Sequence, residues 1–338
     1  MKESVLDWLL DESQPSVRYL TLTELLGRQE SDSEVRVAGR NITRLGWAKQ
    51  ILDMRASSGY WVSEENLYRP KYLSTNWMLL ILSDLGVTRE EPGIDKACQT
   101  WMKRFSAKDG GFDSSVKAPP KYGHLCITGN TARALVKFGY VDHPRVRRAF
   151  DWFVRNQAEL GGWSCWNYGS RPRGRNLDSW EPLSAFAVYP RQKWTRGMKL
   201  AVERGAEFFL ERELHRQGDR YEPWYRFHYP IHYYYDLLVG LDFMTALGYS
   251  RDKRLGYAIS LLKKKRRSDG RWNLDSVNPD PESPQGRWDS EHPKQAATSF
   301  ALEEPGKPSR MITLTALKVL NRIDAADAQT RVSRLKEN

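Results

Sequence analysis

Ser58-Gly59-Tyr60-Trp61, Asp109-Gly110-Gly111-Phe112, Leu160-Gly161-Gly162-Trp163 and Asp269-Gly270-Arg271-Trp272 are four versions of one short segment. Their closing aromatics stand at 61, 112, 163 and 272, so the spacings are 51, 51 and 109. The last spacing covers two units. Gly218-Asp219-Arg220-Tyr221 fills the gap as a degenerate copy, and the series becomes 51, 51, 58 and 51. A fixed period of this length marks a repeat architecture.

The flanks repeat as well. Before each turn runs an amphipathic stretch: 97–105, 143–157, 196–212 and 253–265. Val146, Phe150, Phe153 and Val154 show its three- and four-residue steps, which predict a helix. After each turn come a polar loop and a more continuously apolar segment: 74–85, 128–138, 180–188, 232–247 and 311–320. Gly86, Gly139 and Gly248 follow three of these as helix stops. A sixth, 16–26, begins the series behind Pro15. Helices apolar all round belong inside, and amphipathic ones cover them. Six inner helices surrounded by outer ones predict an all-α closed α/α barrel. Residues 1–324 form its single domain, and 325–338 a polar C-terminal tail.

Composition narrows the setting. The longest apolar run, Trp77 to Leu82, is far shorter than the ~20 residues of a membrane span. Lys2, Glu3 and Asp7 interrupt the N-terminus, which predicts no secretory leader. Cys98, Cys126 and Cys165 are too few for a disulfide scaffold, so a cytoplasmic protein is expected. The net charge of +11 admits peripheral contact with an anionic membrane or an anionic substrate. The 263–267 run Lys-Lys-Lys-Arg-Arg ends an outer helix and reads as a solvated face, not a nucleic-acid site.

An outer helix, a Gly-Gly-Trp-like turn and an inner helix resemble the repeat of the prenyltransferase/squalene-cyclase superfamily, over roughly residues 45–322. The resemblance implies an (α/α)6 toroid whose inner helices line a cavity for an apolar, isoprenoid-type substrate. It also implies acid-initiated cyclisation or isoprenoid transfer. The chain departs from the family in having no Asp-Asp pair, so the Asp-rich motifs of both cyclase classes are missing.

A single buried carboxylic acid can still serve as a proton donor. Asp178, Asp236 and Asp275 are the candidates; Asp178 and Asp275 share the tetrapeptide Asn-Leu-Asp-Ser. The densest aromatic stretch is 221–235, with eight rings in fifteen residues. Trp224, Tyr225, His228, His232, Tyr233 and Tyr234 are expected to line the substrate site, where rings stabilise cationic intermediates by about 0.5–2 kcal/mol each. Trp166 and Tyr168 extend that wall. Arg171, Arg173 and Arg175 would hold an anionic head group. Protein prenyltransferases of the same superfamily carry zinc on Asp, Cys and His. His124, Cys126, Cys165 and His232 are the residues that would bind it here, without a compact zinc spacing.

Two other readings fit the same features. A carbohydrate-active α/α barrel also uses aromatic platforms and paired acids. A non-catalytic scaffold would use the fold without chemistry. An apolar inner cavity favours the isoprenoid reading; an open polar cleft with two facing acids favours the sugar.

Overall fold

A computed structural model describes residues 4–114, 120–164, 180–214, 222–232, 234–277 and 300–336, the last eight of these by backbone alone. The described residues are helical, with no β-strand among them. Helix α1 is Val5–Leu9, and α2 is Pro15–Leu20, which continues into a π-helical turn, Thr21–Leu25. Then come α3 (Ser33–Asn41), α4 (Gly46–Asp53), α5 (Thr75–Asp84), α6 (Ile94–Phe105), α7 (Leu125–Lys137) and α8 (Pro144–Arg155). The chain continues with α9 (Trp180–Val188), α10 (Arg196–Leu210), α11 (Leu237–Ala246), α12 (Gly256–Lys264) and α13 (Arg310–Lys336).

Polarity sorts these helices as expected. Every residue of α5 is buried, and nearly every residue of α7 and α11. Helix α8 instead buries one face, Val146, Ala149, Phe150, Trp152 and Phe153. The apolar helices pack in sequence: α5 on α7, α7 on α9, α9 on α11, and α11 on α13. Helix α13 then returns to α2 and its π-helical turn, while α4 touches both α2 and α5. Helices α6, α8, α10 and α12 lie against α5, α7, α9 and α11 respectively.

Glycine sets the approach of α7 to α9. A Cβ on Gly129 of α7 would stand 2.4 Å from the Cβ of Glu181 on α9, so only glycine lets these two backbones meet.

The four turns share their hydrogen bonds. The first turn glycine is left-handed in each, with φ of +90°, +104°, +80° and +86° at Gly59, Gly110, Gly161 and Gly270. The amide of Ala56, Ala107, Ala158 and Arg267 donates to the carbonyl of Tyr60, Gly111, Gly162 and Arg271 at 2.9–3.1 Å. Three indoles then reach back ten residues. Trp61 donates to Ile51 (2.7 Å), Trp163 to Phe153 (2.9 Å) and Trp272 to Leu262 (2.8 Å), each onto a carbonyl of the preceding helix. At three turns the aromatic residue's own amide donates to a threonine in the next inner helix: Thr75, Thr128 and Thr313. Trp61 and Trp272 are thus bonded by the ring to the preceding helix and by the backbone to the following one.

Some boundaries differ from the sequence expectation. The inner helix expected from His232 begins at Leu237, because the Asp236 side chain caps it by accepting from the Val239 amide at 2.8 Å. Helix α13 runs beyond 320 and across the expected boundary at 324/325, through the helix-favouring Ala325, Ala326 and Ala328. The degenerate turn at 218–221 lies outside the described residues.

Candidate functional site

Segment 222–236 carries the site, and backbone bonds fix it in place. Phe227 exchanges bonds with Asp275: its amide donates to the carboxylate (2.8 Å) and its carbonyl accepts from the Asp275 amide (2.9 Å). His228 pairs with Ser276 in an isolated bridge. The Asp275 carboxylate also accepts from Lys265 at 2.7 Å in an exposed position. Asp275 therefore anchors the segment from outside.

The segment then returns to the start of α11. Asp236 is wholly buried, and one of its oxygens accepts from both His228 Nδ1 (2.6 Å) and the His228 amide (2.9 Å). Its other oxygen caps α11. Three N–H groups on two oxygens suit a carboxylate. His228 Nε2 lies 3.3 Å from the Ile231 carbonyl, so both ring nitrogens face acceptors.

His232 stands nearby, buried between rings. Its centroid is 4.8 Å from Tyr72 and 5.2 Å from Trp77, the latter edge-on. Burial drives its pKa down to about 3, helped by His228 and Arg133 and opposed by Asp84. The ring is neutral at physiological pH. The Tyr72 hydroxyl lies 3.3 Å from that of Tyr234, whose ring stands edge-on to His228.

A charged group lies between the buried helices α5 and α7. Asp84, at the end of α5, accepts from Lys137 at 2.7 Å and lies 3.6 Å from Arg133 Nη2, both on α7. Burial would raise the Asp84 carboxyl, but the two cations more than offset it and hold it below its ordinary range. A cavity of about 40 Å³ lies beside this group. Arg133, His228, Tyr229 and Asp236 line it, with apolar walls from Ile231, Leu238, Val239, Phe243, Met311 and Ile312. Such a space takes about three water molecules or one compact polar group.

The sequence candidates separate on this geometry. His228, His232, Tyr234 and Asp236 come together. Tyr225 is buried and Trp224 stands edge-on to Tyr235 at 6.0 Å. Tyr233, Asp178, Trp166, Tyr168, Arg171, Arg173, Arg175 and Cys165 lie outside the described residues. His124 Nδ1 and Cys126 Sγ touch at 3.3 Å. Among the described residues no three His, Cys, Asp or Glu side chains are grouped to hold a metal ion, so His124, Cys126 and His232 do not form such a set.

Sequence reasoning did not select Arg133, Asp84, Tyr72, Trp77 or Tyr229. Arg133 and Asp84 had a readable signal: each is a charge in a helix that is apolar all round, and such charges are rarely buried without a role. Tyr72 and Trp77 had none, because their partner lies 155 or more positions away in the chain.

No family model matches the chain, and no curated protein matches it. Solved structures do. A protein from Actinoplanes is 16% identical, with 92% of this chain and 90% of that chain covered and a TM-score of 0.46. The type II terpene cyclase MstE from Scytonema, without ligand, is 15% identical, with 94% and 89% covered and a TM-score of 0.45. A variant of that cyclase in complex with geranylgeranyl dihydroxybenzoate is 16% identical, with 94% and 88% covered and a TM-score of 0.43. Among the described residues no helix is long and apolar enough to cross a membrane.

Proposed function

We propose that residues 1–324 close a six-fold α/α toroid and that the protein is an isoprenoid-processing enzyme whose proton source is the His228–Asp236 pair. The observation that carries this reading is the burial of that pair against a cavity with mainly apolar walls. A sugar site would call for an open polar cleft with two facing acids. Asp242, the second acid on the cavity, is instead bound to Arg322 at 2.7 Å.

The pair divides the work. Asp236, with its oxygens taken up as acceptors, orients the ring and balances its charge. His228, protonated on both nitrogens, delivers the Nε2 proton to an alkene or epoxide of the substrate. On an alkene, the π electrons form the new C–H bond, and the positive charge appears on the adjacent carbon. A second alkene of the chain attacks that carbon and closes a ring. Loss of a proton from the last cation returns the charge to the protein, so the product is an isomer of the substrate. Tyr229 and Phe243 are aromatic residues on the cavity wall, and rings so placed stabilise passing cations. The neutral His232 adds no charge that would repel them.

The test is incubation with farnesyl diphosphate, geranylgeranyl diphosphate and squalene, followed by product analysis. Wild type should convert at least one of them, and Asp236→Asn and His228→Gln should lose turnover at least about a hundredfold, in the range general acid catalysis contributes. Absence of binding and turnover with all three would remove the proposal.

A further inference from the structure

We propose that Arg133 and Tyr229 form a carboxylate-binding site inside the cavity, so that the substrate is an isoprenoid that carries a carboxylate. This rests on the isoprenoid reading for the chain of the substrate, but not for its acidic group.

Arg133 is 4% exposed, and its Nε and Nη2 have no hydrogen-bond acceptor among the described residues. These two nitrogens form one edge of the guanidinium, the edge that grips a carboxylate with two parallel bonds. The nearby acid does not fill it. Asp84 stands 3.6 Å from Nη2, too far for a hydrogen bond, and its Oδ1 already accepts from Lys137 at 2.7 Å. The other side of Arg133 is taken by the Trp180 ring, 5.9 Å from the guanidinium carbon. The Tyr229 hydroxyl is another buried donor without a hydrogen-bond partner among the described residues, and Tyr229 lines the same cavity. Leaving such donors unsatisfied is costly, most of all for a charged one.

What fits is decided by size and charge. At about 40 Å³ the cavity has room for one carboxylate but neither for a diphosphate nor for a prenyl chain, which would extend beyond it. Its two other acids are already paired, Asp236 with His228 and Asp242 with Arg322, so they leave the Arg133 edge free for a ligand oxygen pair.

Calorimetry on the full-length protein separates the possibilities with three probes: farnesoic acid, farnesol and acetate. We expect farnesoic acid to bind at least about tenfold more tightly than farnesol, a difference within reach of one charge-assisted pair. Arg133→Gln and Tyr229→Phe should each shrink that preference, weakening farnesoic acid more than farnesol. Tyr229→Phe keeps the ring volume and serves if the arginine variant does not fold. Equal binding of acid and alcohol by wild type would overturn the carboxylate site and leave the isoprenoid reading standing. Arg133-dependent binding of acetate, with no binding of either prenyl compound, would support the carboxylate site and remove the isoprenoid reading. A preference that survives in both variants, or no binding of any probe, would overturn the carboxylate site.

Discussion

His228 Nδ1 lies 2.6 Å from Asp236 Oδ2, with both side chains almost fully withdrawn from water. Only eight residues separate the two, yet the intervening chain turns back so that ring and carboxylate meet at the mouth of α11. Buried pairs of this kind couple strongly. A double-mutant cycle with Asp236→Asn and His228→Gln should give an interaction energy of about 1–3 kcal/mol in denaturant unfolding. Additivity within about 0.5 kcal/mol would mean that the two side chains act independently.

His232 makes the fold sensitive to acid. In the folded protein its pKa is about 3, against 6.5 for a free histidine. The unfolded chain therefore takes up a proton that the folded chain refuses. The penalty is absent above pH 6.5 and grows as pH falls toward 3, by at most about 1.4 kcal/mol per pH unit. His232→Phe keeps a ring against Tyr72 and removes the titration. Its stability should fall less steeply than that of wild type between pH 6.5 and 4. Parallel acid limbs would show that His232 does not titrate on unfolding.

The threonines under the turns are bonded at both ends. Thr128 Oγ1 accepts from the Phe112 amide at 2.9 Å, and Thr313 Oγ1 accepts from the Trp272 amide at 3.0 Å. Thr128→Val and Thr313→Val leave a buried amide without a partner and should each cost about 1–3 kcal/mol. Thr23→Val is the control: its hydroxyl donates to the Tyr19 carbonyl within one helix, at a half-buried site. A smaller loss there is expected from thermal unfolding.

Gly129→Ala tests the contact of α7 with α9. The added methyl would meet Glu181 Cβ at 2.4 Å and its backbone carbon at 2.9 Å. The helices must separate, at a cost of about 1–3 kcal/mol or more. Gly256→Ala, with nothing within 4 Å of the new carbon, should be neutral or stabilising. Equal effects at the two sites would contradict the packing.

The helices were readable because their signals are local. Glycine at the left-handed turn position, an aromatic two or so residues on, and the polarity contrast between α5 and α8 all lie within short windows. Asp236 was legible as a chemical residue, but its position as a helix cap was not. Its capping bond depends on a chain reversal that 221–235 does not announce. The pairing of His232 with Tyr72 and Trp77 was illegible for another reason: it joins residues from opposite halves of the sequence. Arg133 is in plain view inside an apolar helix, but the alternate spacing of Arg171, Arg173 and Arg175 is the more conspicuous anion signal in the sequence.

Proton delivery by His228 and Asp236 is the central claim, and turnover in deuterium oxide tests it most directly. Product formed from a converted polyprenyl substrate should carry one non-exchangeable deuterium at the carbon protonated first, and Asp236→Asn should yield no such product. A cyclised product without deuterium would show that ionisation, not protonation, starts the reaction, and would contradict the assignment of the pair.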